Sequence, residues 1–111
     1  MALGSLEGTR VVDLYSGSGA LAIEALSRGA EWADLVDSDR RARETIFRNL
    51  TELSLTERAR LWPLRLPAGL ARLGEALAAA QVVFADPPYG GTDARAVLTG
   101  LGKPDRKSTR L

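Results

Sequence analysis

Short apolar runs alternate with amphipathic repeats along most of the chain. Buried strands of a parallel sheet are short and continuously apolar, whereas a helix that packs on a sheet repeats apolar residues three or four positions apart. The runs predict strands at Thr9–Tyr15, Trp32–Val36, Arg60–Leu64 and Gln81–Ala85, and the repeats predict helices at Ala20–Arg28, Arg40–Leu53 and Ala68–Ala80, with a further helix beginning within Asp93–Leu101. This alternation predicts an α/β fold with a doubly wound, mostly parallel sheet in the order 3-2-1-4.

Two of these helices show which face they bury. The apolar positions of the first are Leu21, Ala22, Ala25 and Leu26, and those of the second are Ala42, Ile46, Leu50 and Leu53. Both sets recur with the period of an α-helix, and Gly29 is a natural stop after the first helix. We expect each set to face the sheet.

The composition removes whole classes of chemistry. The 111 residues include no cysteine and no histidine, so disulfides, thiol nucleophiles, histidine bases and the usual zinc ligands are excluded, and we expect no metal. The net charge of +1 gives no sign of a dedicated nucleic-acid binder. No apolar run approaches the roughly 20 residues that cross a bilayer, and no signal peptide is visible. We therefore expect a cytoplasmic protein without a membrane partner.

A glycine-rich loop follows the first predicted strand. Gly17, Ser18 and Gly19 open the pattern G-x-G-x-x-G/A at the mouth of the next helix, where backbone N–H groups can face an anion. Asp37 ends the second strand, 20 residues after Gly17, where a carboxylate can accept both hydroxyls of a ribose. The loop alone is equally typical of a plain strand-to-helix turn. The loop and the acid together predict a site for a nucleoside-containing cofactor.

Asp13, inside the first strand, bears on which cofactor binds. A carboxylate so close to the loop would repel the pyrophosphate of a dinucleotide, whereas it suits a cationic group such as the amino group of S-adenosylmethionine. A structural aspartate that holds the glycine loop is the competing interpretation. The position of Asp13 favours a methyl donor over NAD.

The stretch Val82–Gly91, VVFADPPYGG, ends a strand in an acid, two prolines and an aromatic ring. An Asp-Pro turn is the ordinary reason for such a stop. In a doubly wound sheet, however, the ends of strands one and four meet at the crevice where ligands bind, so this motif should face the glycine loop. Asp86 and a carbonyl near Pro87 would accept the N–H groups of an exocyclic base amine and direct its lone pair at the methyl group. Pro87 and Pro88 hold these acceptors rigidly, and Tyr89 offers a face on which a flipped-out base stacks.

Four stretches, VVDLYSGSGALAIEALSRGA, VDSDRRA, NL and FADPPYG, resemble the bacterial family that methylates the exocyclic amine of guanine 966 in 16S ribosomal RNA. The resemblance implies a Rossmann-like methyltransferase fold, S-adenosylmethionine as cofactor, and the small ribosomal subunit as partner of a protein that is monomeric at full length. The residues that it assigns to the cofactor are Asp13, Gly17, Ser18 and Gly19 at the methionine part and Asp37 at the ribose. The residues that it assigns to the target base are Asp86, Pro87, Pro88 and Tyr89.

Three other interpretations are consistent with these residues. An adenine amine methyltransferase that acts on DNA or RNA shares the D-P-P-Y motif and the same chemistry. An NAD-binding oxidoreductase domain, from another class of enzyme, shares the glycine loop and the acid after the second strand. A non-enzymatic scaffold would keep the fold without activity.

The resemblance also bears on the extent of the chain. Members of the family carry an amino-terminal segment and three further strands that are absent here, so residues 1–104 are interpreted as a partial methyltransferase domain. Residues 105–111, DRKSTRL, are interpreted as a non-native tail, because a common sequencing adapter would encode them. Without the further strands, Gln81–Ala85 would be an exposed sheet edge. We therefore expect the 111-residue chain itself to be inactive and poorly soluble.

Overall fold

The elements of the fold are given by a computed structural model, which describes residues 5–85 and the backbone of residues 95–98. The strands in this part of the chain are β1 (Arg10–Leu14), β2 (Trp32–Val36), β3 (Ala59–Trp62), β4 (Val82–Ala85) and β5 (Arg95–Leu98). The α-helices are α1 (Ala20–Ser27), α2 (Arg40–Glu52) and α3 (Gly74–Ala79), and short 3-10 helices lie at Thr56–Arg58 and Ala68–Leu73. The strands and helices predicted before residue 86 are confirmed in order, most of them with small shifts at their ends.

The strands form one sheet in the order β3-β2-β1-β4-β5. β1 lies between β2 and β4, and both of these pairs are parallel, as is the pair of β2 with β3. The chain therefore crosses from one side of β1 to the other between β3 and β4. This reversal creates a switch point at the carboxyl ends of β1 and β4, where ligands of such sheets bind. The predicted doubly wound sheet with the order 3-2-1-4 is confirmed.

The segment after β4 differs from the prediction. Residues 95–98 form β5, which pairs antiparallel with β4, instead of belonging to the helix expected within Asp93–Leu101. Nine residues separate Ala85 from Arg95, whereas a parallel crossover needs about a dozen or more, so the next strand returns in the opposite direction. β4 consequently has a neighbour on each side, and the expectation of an unpaired edge at β4 is wrong.

The helix predicted over Ala68–Ala80 is divided into a 3-10 helix and the short α3. The first part passes very close to Leu64, since a Cβ atom added to Gly69 would lie 2.9 Å from the Leu64 Cβ. The Leu70 N–H donates to the Pro67 carbonyl oxygen at 3.0 Å, which is the bond of a tight turn. Gly69 thus packs directly against Leu64, and the α-helical part begins only at Gly74.

Two other predicted details are corrected at the ends of elements. β3 ends at Trp62 rather than Leu64, because Pro63 has no N–H to continue the ladder. Leu53, assigned by its spacing to the buried face of the second helix, is 54% exposed. α2 has already ended, and Ser54 turns the chain with a φ of 59°. Leu55 is buried in place of Leu53.

The core lies mainly between the sheet and the helices α1 and α2. Its buried residues are Val11, Ala22, Ala25, Leu26, Ala30, Ala33, Leu35, Ile46, Leu50, Leu55, Val82 and Phe84. Because side chains alternate along a strand, the odd-numbered positions of β1 and β2 face these helices. The even-numbered positions face the segment that contains the second 3-10 helix and α3. Helices therefore cover both faces of the sheet, as a doubly wound fold requires.

Candidate functional site

The loop between β1 and α1 has a backbone that only certain residues adopt easily. Tyr15, Gly17 and Gly19 have φ values of 58°, 61° and 84°, in the left-handed region that glycine enters without strain. Gly19 caps α1 without any side-chain hydrogen bond, and no acidic residue lies in the first turn. The N–H groups of that turn are therefore not used by a capping side chain, and they give this end of the helix a positive potential.

Asp37 is held directly against the glycine loop. Its Oδ2 accepts a hydrogen bond from the Gly17 N–H at 2.8 Å, and its Oδ1 accepts one from the Asp39 N–H at 2.9 Å. A carboxylate offers about four lone-pair positions, so each oxygen retains capacity to accept a further bond. The structure thus brings together two of the residues predicted for the cofactor, and it gives Asp37 a structural role that the sequence did not indicate.

Asp13 lies at the base of the same loop. It is 2% exposed in β1, between Leu35 of β2 and Phe84 of β4. Ser16 fixes the backbone around it, because the Ser16 Oγ donates to the Asp13 carbonyl oxygen at 2.7 Å and accepts from the Val36 N–H at 3.0 Å. Asp13 is therefore buried directly before the loop, and both of its predicted roles stay predictions.

α2 supports the loop from the side through residues that the motif did not include. The Asn49 Nδ2 donates to the Ser18 carbonyl oxygen at 3.2 Å. A Cβ atom added to Gly19 would lie 3.3 Å from Ile46 and from Leu35, so the loop packs closely against the helix. Asn49 is three positions after Ile46 and shares its face of α2. That spacing, together with the stretch NL in which Asn49 stands, was the available signal for a supporting role of Asn49.

The connection between β2 and α2 is also tightly held. Asp39 caps α2, since its carboxylate accepts from the Ala42 N–H at 3.1 Å. Arg43 donates from Nη1 to the carbonyl oxygens of Asp37 and Ser38 at 3.2 and 2.9 Å. Beside this connection lies an open cavity of about 430 Å³, whose lining includes Gly17, Ser18, Asp39, Arg41, Ala42 and Thr45. Nothing within 4 Å would meet a Cβ atom at Gly17, so the loop leaves space for a ligand.

The second predicted motif, Asp86 to Tyr89, lies outside the described residues, as does the tail at 105–111. The strand before the motif is described, and Ala85 pairs with Leu14 in the parallel ladder. β4 therefore ends at the level where β1 ends and the glycine loop begins. Among the described residues, no helix is long and apolar enough to span a membrane, and no group of three acidic, cysteine or histidine residues is placed to hold a metal ion.

A family model described as conserved hypothetical protein 95 matches residues 1–106. The chain belongs to this family. The Bacillus subtilis (strain 168) protein named "Putative rRNA methyltransferase YlbH" is 39% identical to this member over 93 residues, which are 84% of this chain and 50% of that protein. Ribosomal RNA small subunit methyltransferase D of Escherichia coli (strain K12) is 37% identical over 78 residues, 70% of this chain and 37% of that protein. The chain therefore spans half or less of the length of these curated relatives.

Solved structures share the fold of this family member. A conserved hypothetical protein of Streptococcus pyogenes is 38% identical with a TM-score of 0.69, and the match covers 77% of this chain and 51% of that one. SMU.776, a methyltransferase candidate solved in complex with SAH, has a TM-score of 0.67 at 22% identity, with coverage of 77% and 23%. The second similarity is one of fold alone, and both matches support the doubly wound sheet.

Proposed function

We propose that the chain carries the S-adenosylmethionine site of a methyltransferase that modifies the exocyclic amine of a guanine, position 966, in 16S ribosomal RNA. The observation that carries this proposal is the parallel pairing of β1 with β4, in which the last residues of the two strands, Leu14 and Ala85, are partners. Since β1 and β4 end at the same level, the D-P-P-Y motif that follows β4 in the sequence would lie near the glycine loop, at the switch point of the sheet. The names of the relatives support ribosomal RNA as substrate, and the name of the Escherichia coli protein supports the small subunit. A ribosomal substrate would place the protein in the cytoplasm.

The described residues fit S-adenosylmethionine. The uncapped amino end of α1 suits the carboxylate of the methionine part, and the buried Asp13 suits its amino group. Asp37 keeps lone pairs for the ribose hydroxyls while it holds the Gly17 N–H. The open space above Gly17 leaves room for the chain of the cofactor. The carboxylate and amino group of the methionine part and the hydroxyls of the ribose would thus each have a partner.

The reaction needs orientation rather than an acid or base of unusual pKa. Bound S-adenosylmethionine would supply a methyl group on a positively charged sulfur, and the sulfur would keep the electron pair of the broken bond. In the proposal, Asp86 and the carbonyl near Pro87 accept the N–H groups of the guanine amine, so that its lone pair points at the methyl group. Asp86 or solvent takes the proton released from nitrogen. Tyr89 stacks on the base, and the rate gain comes from positioning and preorganised acceptors.

Cofactor choice is tested by titrating the whole protein encoded by the gene with S-adenosylhomocysteine and, separately, with NAD in a calorimeter. We expect saturable binding of S-adenosylhomocysteine alone, since an acid in β1 opposes a pyrophosphate. Saturable binding of NAD without binding of S-adenosylhomocysteine would overturn the proposal and restore the oxidoreductase interpretation.

The target base is tested with the whole protein encoded by the gene, tritiated S-adenosylmethionine and unmethylated small ribosomal subunits. We expect the label in N2-methylguanine of 16S ribosomal RNA, and none after guanine 966 is replaced. Label in N6-methyladenine would support the adenine methyltransferase interpretation, and binding of cofactor without any transfer to RNA or DNA would support the scaffold interpretation.

The role of Asn49 gives a prediction about the loop. Asn49→Ala removes the hydrogen bond to the Ser18 carbonyl oxygen, and we expect S-adenosylhomocysteine to bind about 5-fold more weakly, for a loss of about 1 kcal/mol. Arg48→Ala, at the neighbouring exposed position of α2, is the control and should bind normally. Calorimetry on both variants gives the affinities, and equal affinities would show that the loop does not depend on Asn49.

A further inference from the structure

A cleft lies on the face of the sheet opposite α1 and α2, between strands β1 to β3 and the segment that contains α3. Its volume is about 620 Å³, and none of its lining residues belongs to the cofactor site. The lining includes Trp32 and Trp62, which are both of the tryptophans in the chain. Tryptophan side chains that line an open cleft are typical of binding surfaces rather than of cores.

A buried carboxylate holds the two indole rings in place. Asp34 is 4% exposed; its Oδ1 accepts from the Trp62 Nε1 at 2.8 Å and its Oδ2 accepts from the Trp32 Nε1 at 3.0 Å. These bonds fix both rings before any ligand binds. A carboxylate at the N–H of an indole also increases the electron density of the ring, which strengthens attraction for a cation on its face.

Each ring carries an arginine. The Arg60 Cζ lies 3.9 Å from the centroid of the Trp62 ring, and the Arg10 Cζ lies 5.3 Å from that of Trp32. Stacking on a ring holds a guanidinium plane in one orientation and leaves its N–H edges to face outward. The arginines of this cleft are therefore partly organised for bidentate contacts with an anion.

The charges around the cleft favour an anionic ligand. Arg60 and Arg72, both exposed, form no ion pair with any carboxylate among the described residues, and Arg10 forms a long one of 3.5 Å to Glu31. Among the lining residues, Glu75 is the exposed acid, whereas both oxygens of Asp34 are already used by the indoles. Positive charge beside aromatic rings is the combination that binds phosphates and bases together.

We propose that this cleft binds a single-stranded segment of RNA. The proposed contacts are phosphates on the guanidinium groups of Arg60 and Arg72, with a base against the fixed Trp62–Arg60 stack. The choice of RNA rests on the proposed function, since an enzyme that modifies ribosomal RNA needs contacts beyond the target base.

The cleft runs along the strands from their first residues to the carboxyl end of β3. Arg10 and Trp32 are the first residues of β1 and β2, whereas Trp62 is the last residue of β3, and its carbonyl oxygen accepts from the Asp37 N–H at 3.1 Å. One end of the cleft is thus about 15 Å of strand away from the glycine loop, and the other end lies beside Asp37. Because its lining residues are not those of the cofactor site, the cleft would hold RNA that flanks the target base.

Intrinsic fluorescence offers a direct test, because both tryptophans lie in the cleft. The chain is titrated with a single-stranded RNA 10-mer while tryptophan emission is recorded. We expect saturable quenching, and about 5- to 10-fold weaker binding for Arg60→Ala, through loss of a stacked phosphate contact. Arg72→Ala, which leaves both rings untouched, should also weaken binding. Each variant should reduce the slope of log affinity against log salt concentration by about one, because one phosphate contact is lost.

The control is Arg48→Ala, which removes one exposed arginine from α2 on the opposite face and should change the affinity less than 2-fold. Equal weakening by Arg48→Ala and Arg60→Ala would overturn the proposal, because binding would then depend on charge alone. Tighter binding of a polyglutamate peptide than of RNA would overturn it in favour of an acidic protein partner, and absence of quenching would also overturn it.

Failure of this proposal can be told from failure of the proposed function. Binding of S-adenosylhomocysteine together with RNA binding that Arg60→Ala leaves unchanged would overturn the role of the cleft alone. Quenching by RNA that depends on Arg60, without binding of S-adenosylhomocysteine, would support the cleft and overturn the methyltransferase proposal.

Discussion

Asp37→Ala is expected to weaken binding of S-adenosylhomocysteine by about 30-fold, which corresponds to about 2 kcal/mol. The substitution removes the acceptor for the Gly17 N–H, at 2.8 Å, and the acceptor for the Asp39 N–H, at 2.9 Å. In the proposed site it also removes the partner of the ribose hydroxyls. Both losses act in the same direction, because a loosened loop and an unpaired ribose each disfavour the bound state.

The measurement is calorimetry of the variant beside Asp37→Asn and Glu52→Ala. The asparagine retains an oxygen acceptor and should bind with intermediate affinity, whereas Glu52, an exposed acid at the far end of α2, should be replaceable without effect. Thermal unfolding separates the two roles of Asp37. A lower melting temperature with unchanged affinity would make Asp37 a support of the loop and not a ligand of the cofactor.

Asp86→Ala is expected to lower turnover by about 100-fold or more, equivalent to on the order of 3 kcal/mol of transition-state stabilisation. The proposed reason is the loss of one acceptor that orients the guanine amine, from the residue that follows β4 in the sequence. Cofactor affinity should be nearly unchanged, because the cofactor contacts are proposed on β1, β2 and the loop. Turnover is measured on the whole protein encoded by the gene, with 16S ribosomal RNA in small subunits as substrate.

Asp86→Asn is the matched variant, since it keeps one oxygen acceptor but not the charge, and it should retain part of the activity. Separate measurements of kcat and of cofactor affinity decide between the possible roles. If Asp86→Ala abolished cofactor binding and had no further effect on turnover, Asp86 would be a ligand of the cofactor, and the assignment to the target base would be wrong.

The sequence predicted strands β1 to β4 closely and the segment after β4 poorly. β2 begins and ends at the predicted residues, because its apolar run is bounded by turn residues and is buried on both faces. The strand at 95–98 could not be recognised, since its residues resemble the start of a helix and its pairing depends on β4. Leu53 was misplaced for a related reason: its spacing fits the helix, but α2 ends one residue before it.

For the candidate site, the sequence identified residue types but not their contacts. The interval from Gly17 to Asp37 indicated a cofactor pair, yet the hydrogen bond between them depends on the parallel pairing of β1 with β2. Asn49 stands in the stretch NL that resembles the family, but its contact with Ser18 follows from the packing of α2 against the loop. Such contacts join residues that are distant in the chain, so local pattern alone does not contain them.

Local pattern by itself determined the α/β class, the order of the elements up to Ala85 and the glycine loop with its acid, because each depends on short-range periodicity or on residues with special backbone preferences. Only the tertiary structure decided that β4 is covered by β5 and that Asp37 holds the loop. It also decided that Trp32 and Trp62, which are 30 positions apart, share Asp34 in one cleft. These features arise where strands and helices that are remote in sequence pack together, and that packing is a property of the whole fold.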